Sequence, residues 1–141
     1  MSIDVTQIKH SNVPPQHIYE KARDMFGVDF RNGVVFTVGD TIHSQSWPLS
    51  PDLLTHEKTH VTQQLNYDGG KYKWWDRYFE DKYFRYSQEI EAYRNQYEHL
   101  CVMFKDRNKR AVLLMTIVRH LRTMYGFEQF DAQKIKADLL K

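Results

Sequence analysis

The sequence predicts a small α+β domain in which helices dominate. Three observations carry that reading. One β-branched run, Val34-Val35-Phe36-Thr37-Val38, stands between the turn signals Arg31-Asn32-Gly33 and Gly39-Asp40, which is the punctuation of a buried strand. Beyond residue 50, apolar residues recur at helical spacing through four successive segments. The composition is globular, with 41% hydrophobic and 27% charged residues, and an aromatic fraction of 14% supplies large pieces for a core. A chain of 141 residues makes one domain, 1–141, with a motif-bearing core at about 34–104 and a C-terminal helical extension at about 108–140.

Each element has a local reason. A first helix is expected from Pro15 to Phe26: proline suits a first turn, Ile18, Ala22, Met25 and Phe26 share a face, and Gly27 is a natural stop. The strand Val34–Val38 then turns at Gly39-Asp40 into a partner strand over Thr41–Ser46. Ser50-Pro51-Asp52 reads as N-cap, first helical position and dipole-complementing acid, opening a helix to about Asn66 with Leu54, Val61 and Leu65 along one buried line. Gly69-Gly70 breaks that pattern. After the aromatic stretch Tyr72-Lys73-Trp74-Trp75, a long helix is expected from about Phe79 to Phe104. Its buried stripe is Tyr86, Ile90, Tyr93, Tyr97, Leu100 and Phe104, stepping by four and three. Helices over Asn108–Met124 and Ala132–Leu140 complete the chain.

Several function classes are excluded by this reading. Lys plus Arg is 20 against 18 for Asp plus Glu, a net charge of +2, so nucleic acid is not expected as a partner. The basic bias of Lys105, Arg107, Lys109, Arg110, Arg119 and Arg122 reads as a solvated helix face. The single cysteine, Cys101, rules out an internal disulfide and a cysteine-based zinc site, and reads as a buried thiol. Met1–His10 is polar and lacks the apolar core of a signal peptide, and the longest apolar stretch, Ala111–Val118, falls far short of the ~20 residues of a membrane helix. The expectation is a cytoplasmic protein without a membrane partner.

The chemistry is concentrated in His56-Glu57-Lys58-Thr59-His60. Residues four apart share a helix face, so the two imidazoles of this H-E-x-x-H pattern converge on one ion. Glu57, about 100° round the helix, reaches a water on that ion without being a ligand. The corresponding chemistry is zinc lowering the pKa of its water and polarising a carbonyl, while Glu57 takes and returns the proton. Chance supplies only about 0.02 such patterns in a chain with this His and Glu content.

Catalytic zinc needs a third protein ligand. The other histidines, at 10, 17, 43, 99 and 120, lack the near spacing of a third-histidine motif, and position 66 is Asn66. A carboxylate from the next helix is the alternative. Glu89 lies about 60° from the centre of the Tyr86/Ile90/Tyr93/Tyr97 stripe and Glu91 about 140°. Glu89 borders the buried face, where a lone carboxylate is costly unless paired or ligating, and is the expected third ligand.

The segment Leu53-Leu54-Thr55-His56-Glu57-Lys58-Thr59-His60-Val61-Thr62-Gln63-Gln64, followed by Glu89-Ile90-Glu91-Ala92, resembles the gluzincin metallopeptidases. It is most similar to the minimal domains of toxin-associated and phage proteins, and the resemblance covers roughly residues 34–97. It implies a zincin-like fold: a small β-sheet or hairpin packed on an active-site helix and a second metal-ligand helix, here with extra C-terminal helices. It also implies zinc held by His56, His60 and Glu89, Glu57 as general base, and hydrolysis of a polypeptide substrate. Thr41–Pro48 would be the edge strand that aligns substrate beside the helix. Lys58 and Thr62 depart from the uncharged and apolar residues usual at those positions. Tyr93, Tyr86 and His43 are the candidates for stabilising the transition state. The alternative function is a structural or interaction subunit of a larger assembly, such as a phage virion or a secretion apparatus, that retains the fold and the metal site among protein neighbours. In that case the protein would be virion-associated.

Overall fold

The computed structural model describes residues 7–141; the Met1–Thr6 part of the polar N-terminal stretch lies outside them. The fold is α+β and mostly helical. In chain order it comprises β1 (Lys9–Ser11), α1 (Gln16–Phe26), a 3-10 turn (Phe30–Asn32), β2 (Phe36–Val38), β3 (Thr41–His43), α2 (Pro51–Leu65), α3 (Lys71–Glu80), α4 (Lys82–Met103), α5 (Arg107–Met124) and α6 (Ala132–Leu139).

The sheet has the order β1-β3-β2, with β1 parallel to β3 and β2 antiparallel to it. The turn at Gly39, which adopts a φ of 61°, joins β2 to β3 and sets the register Thr37 opposite Ile42. This corrects the expectation for Thr41–Pro48. β3 ends at His43, and because Lys9–Ser11 pairs along its second side it is the central strand. The strand edge beside α2 is therefore β2. Three residues of β1 carry no alternating pattern, so periodicity alone does not reveal it.

Each helix lies close to its expected span. Gly27 closes α1 in the left-handed region (φ 69°), and its N–H donates to the Arg23 carbonyl. Ser50 has the extended backbone of an N-cap but makes no side-chain cap bond. The aromatic stretch is itself helical: Trp74, Trp75, Tyr78 and Phe79 are the buried face of α3. Asp81 ends α3 and caps α4, its side chain accepting from the Tyr83 and Phe84 N–H groups, so the long helix expected from about Phe79 starts at Lys82 and Phe79 belongs to the separate helix before it.

Three apolar clusters hold these pieces together. Ile8, Ile42 and Val61 join the sheet to α2, with Leu54 packed against them. Leu65 does not continue the line; it is exposed beyond the sheet's reach. α1, β2 and α3 share Ile18, Ala22, Phe36, Trp75 and Phe79. The stripe of α4 (Tyr86, Ile90, Tyr93 and Leu100) receives Leu114, Ile117, Val118 and Leu121 of α5 together with Phe127, Ile135 and Leu139. Cys101, at the margin of that stripe, is half-buried. No helix among the described residues is long and apolar enough to cross a membrane.

Candidate metal centre

Helices α2 and α4 make the most extensive contact between any two elements among the described residues, and Ala92 of α4 is fully buried. Four ionisable side chains are buried where they meet, His56, Glu57 and His60 from α2 and Glu89 from α4, each at most 6% exposed. His56, His60 and Glu89 bring one ligand atom each into a single group. The two Nε2 atoms are 3.2 Å apart, and Glu89 Oε1 lies 3.2 Å from His60 Nε2 and 3.3 Å from His56 Nε2. Ligands about 2.0–2.1 Å from a tetrahedral ion stand about 3.3 Å from one another, so this triangle has the dimensions of one face of such a site. The donor set, two imidazoles and a carboxylate, suits a borderline divalent transition metal.

The polar groups behind the triangle are satisfied. His56 Nδ1 pairs with Gln96 Oε1 at 3.0 Å and His60 Nδ1 with Gln63 Oε1 at 2.8 Å. Glu89 Oε2 accepts from the Tyr78 hydroxyl at 2.6 Å. Burial raises the cost of charge here, yet the imidazoles beside Glu89 hold its carboxyl below the usual range, and Glu89 in turn lifts His60 to about 9. Burial, followed by the negative charge of Glu89, pushes the phenols of Tyr78, Tyr93 and Tyr125 well above their ordinary value, so they remain protonated donors.

Glu57 faces the triangle from one side. Its Oε1 accepts from the Thr37 hydroxyl of β2 at 2.9 Å, and its Oε2 stands 3.8 Å from His56 Nε2. Burial raises the Glu57 carboxyl above its ordinary value, against the opposing pull of the two imidazoles and Thr37. β2 is clamped to α2 by Gln64, whose amide donates to the Thr37 carbonyl at 2.7 Å and accepts from Gly39 N–H at 2.6 Å. Trp75 Nε1 donates to the same carbonyl at 3.0 Å.

Two spaces meet at His56 and Glu57. One is an apolar cavity of about 70 Å³, walled by Ala22, Phe26, Phe36, Trp75 and Tyr78. The other is an open groove of about 530 Å³ between Val34-Val35, the start of α2, Tyr93 and Gln96 of α4, and His120, Met124 and Tyr125. Tyr93 packs edge-on against His56, with ring centroids 4.3 Å apart, and its hydroxyl meets that of Tyr125 at 2.8 Å. Tyr86 is turned away to Asp138, and His43 pairs with the Val13 carbonyl; neither lines the two spaces. Glu91 is exposed and accepts from Gln63. Trp74 flanks His60 and donates to Gln88.

Thr37, Tyr78, Gln96, His120 and Tyr125 also face the site, and the sequence pattern alone does not assign them to it. Gln96 had a usable signal, since it stands seven residues after Glu89 on the same helix face. The others come from elements whose placement only the tertiary fold decides. No protein-family model, curated protein or solved structure matches the chain.

Proposed function

We propose that this protein is a zinc-dependent metallopeptidase of gluzincin type, with a zincin-like fold, in which His56, His60 and Glu89 hold the ion and Glu57 is the general base and then the general acid. The observation that carries the reading is the buried His-His-Glu triangle of tetrahedral dimensions with a further carboxylate beside it. Three protein ligands leave one coordination position open, as catalytic zinc requires and closed structural sites do not. When bound, zinc supplies Lewis-acid polarisation of the scissile carbonyl and lowers the pKa of water.

The chain's own groups do the rest. Thr37 holds one oxygen of Glu57 and leaves the other facing the metal position. Burial raises that carboxyl toward the range in which it both accepts a proton from water and returns it to the leaving amine. The groove beside His56, walled on one side by Val34-Val35 just ahead of β2, is the space a polypeptide substrate would enter. The near-complete burial of the ligands favours a second reading, a structural subunit that keeps the ion to hold α2 against α4.

One experiment separates the two. Hydrolysis of an unfolded protein substrate is compared for wild type and Glu57→Gln, with and without a chelator. The peptidase reading expects Glu57→Gln to keep its zinc and lose about 10²–10⁴-fold in rate. Zinc-loaded wild type without hydrolysis would favour the structural subunit, and hydrolysis indifferent to both the chelator and Glu57→Gln would refute the zinc mechanism.

A further inference from the structure

An imidazole ligates through Nε2 only when its ring proton sits on Nδ1, and the ring does not make that choice by itself. Here each Nδ1 faces the amide of a glutamine, which is a donor at one end and an acceptor at the other. Which end faces the ring depends on what holds the amide's far side. For Gln96 that is Asp52 Oδ2, 2.9 Å from the amide nitrogen. A carboxylate only accepts, so the NH2 of Gln96 must face Asp52 and its oxygen must face His56. For Gln63 two acceptor-only groups do the same: the Gln88 carbonyl at 3.0 Å and Glu91 Oε1 at 2.8 Å. Its oxygen therefore faces His60.

We propose that Asp52 and Glu91 with the Gln88 carbonyl, acting through Gln96 and Gln63, are a positioning relay that fixes both histidines in the Nδ1–H form and turns both Nε2 lone pairs on the ion. The relay's effect on affinity rests on the metal reading above, whereas its effect on the rings does not. The two arms differ. Gln96 has one anchor, so the His56 arm fails when Asp52 loses its acceptor-only character. Gln63 has two, so the His60 arm survives the loss of Glu91. The relay also gives Asp52 a role beyond complementing the N-terminus of α2.

The test has two readouts. Nitrogen NMR of the purified protein, with zinc and, after chelation, at alkaline pH where both rings are neutral, reads the tautomers directly: His56 and His60 should both carry a proton on Nδ1 and none on Nε2. A neutral His56 or His60 with a bare Nδ1 would overturn the relay even if the protein binds zinc. Zinc titration then reads its consequence. Gln96→Leu should weaken binding about 10–100-fold. Asp52→Asn should weaken it measurably, and Glu91→Gln should leave it nearly unchanged. Combining Gln96→Glu with Asp52→Asn swaps the carboxylate and the amide, keeps an acceptor on His56, and should recover most of the loss. Circular dichroism and melting of each variant establish that it is folded. A folded Gln96→Leu with wild-type affinity, or a swap no better than Gln96→Leu, would contradict the relay. If wild type bound no zinc at all, the metal reading would fall while the NMR result still decided the relay.

Discussion

Helix α4 buries two faces with opposite chemistry. Toward α5 and α6 it presents Tyr86, Ile90, Tyr93 and Leu100 to an apolar cluster in which Leu121, Phe127 and Ile135 are fully buried. Toward α2 it presents Glu89, Ala92, Asn95 and Gln96, polar but for Ala92 and hydrogen-bonded across the contact. The first face holds by burial, which is non-directional and tolerant of detail. The second works only if each donor finds its acceptor, because a buried polar group left unpaired costs about 1–3 kcal/mol. One helix thus divides stability from chemistry, and substitutions on the two faces should have separable effects.

The largest expected separation is in stability. Leu121→Ala should cost about 2–5 kcal/mol and lower the melting temperature, with zinc affinity unchanged. A matching loss of zinc affinity in a calorimetric titration would show that the two faces are coupled through Tyr93 and Tyr125. Gln64→Leu breaks the clamp between α2 and β2 and leaves the Gly39 N–H without its partner, at about 1–3 kcal/mol. It should also loosen Thr37 behind Glu57, so denaturant melts and peptidase rates should fall together.

A pH series sharpens the polar face. Glu89 lifts His60 to about 9, so a cation arriving at neutral pH must displace a proton. Zinc affinity should therefore rise about tenfold per pH unit up to about 9 and level off above it, and titrations in buffers of different ionisation enthalpy should report the released proton. Hydrolysis has a second limit on the same side: it should fail in acid at a pH above the ordinary glutamate range, as the raised carboxyl of Glu57 takes up its proton. The smallest effect belongs to the apolar face. Asp138, held at about 2 against its own burial by Lys134, Tyr86 and Lys141, ties α6 to α4. That stabilisation is present above the ordinary aspartate pKa and fades as pH falls toward about 2, and Asp138→Asn should remove it with a small drop in melting temperature at neutral pH.

The same division explains what could be read from the sequence. The stripe of α4 is legible because burial imposes a period, and the boundary residues Gly27 and Pro51 mark helix ends by local rules. The His56-Glu57-His60 cluster is legible because one helix turn carries it. Glu89 is legible through its angle to the stripe, a local property. The groups that complete the site lack such signals. Thr37 meets Glu57 only because Gln64 and Trp75 fix β2 against α2, and Tyr78 meets Glu89 only because Asp81 breaks the chain between α3 and α4. β1 lacks a signal for the same reason: three residues without a pattern become a strand only when β3 is there to pair with.

The central claim is that three side chains from two helices hold one ion, with Glu57 outside the ligand set. Metal analysis of folded wild type, Glu89→Ala and Glu57→Gln after dialysis against zinc tests it most directly. The expected result is about one zinc per chain in wild type and in Glu57→Gln, and none in Glu89→Ala, because two remaining ligands do not hold the ion against solvent. A folded wild type without zinc, or a Glu89→Ala variant that keeps it, would contradict the account.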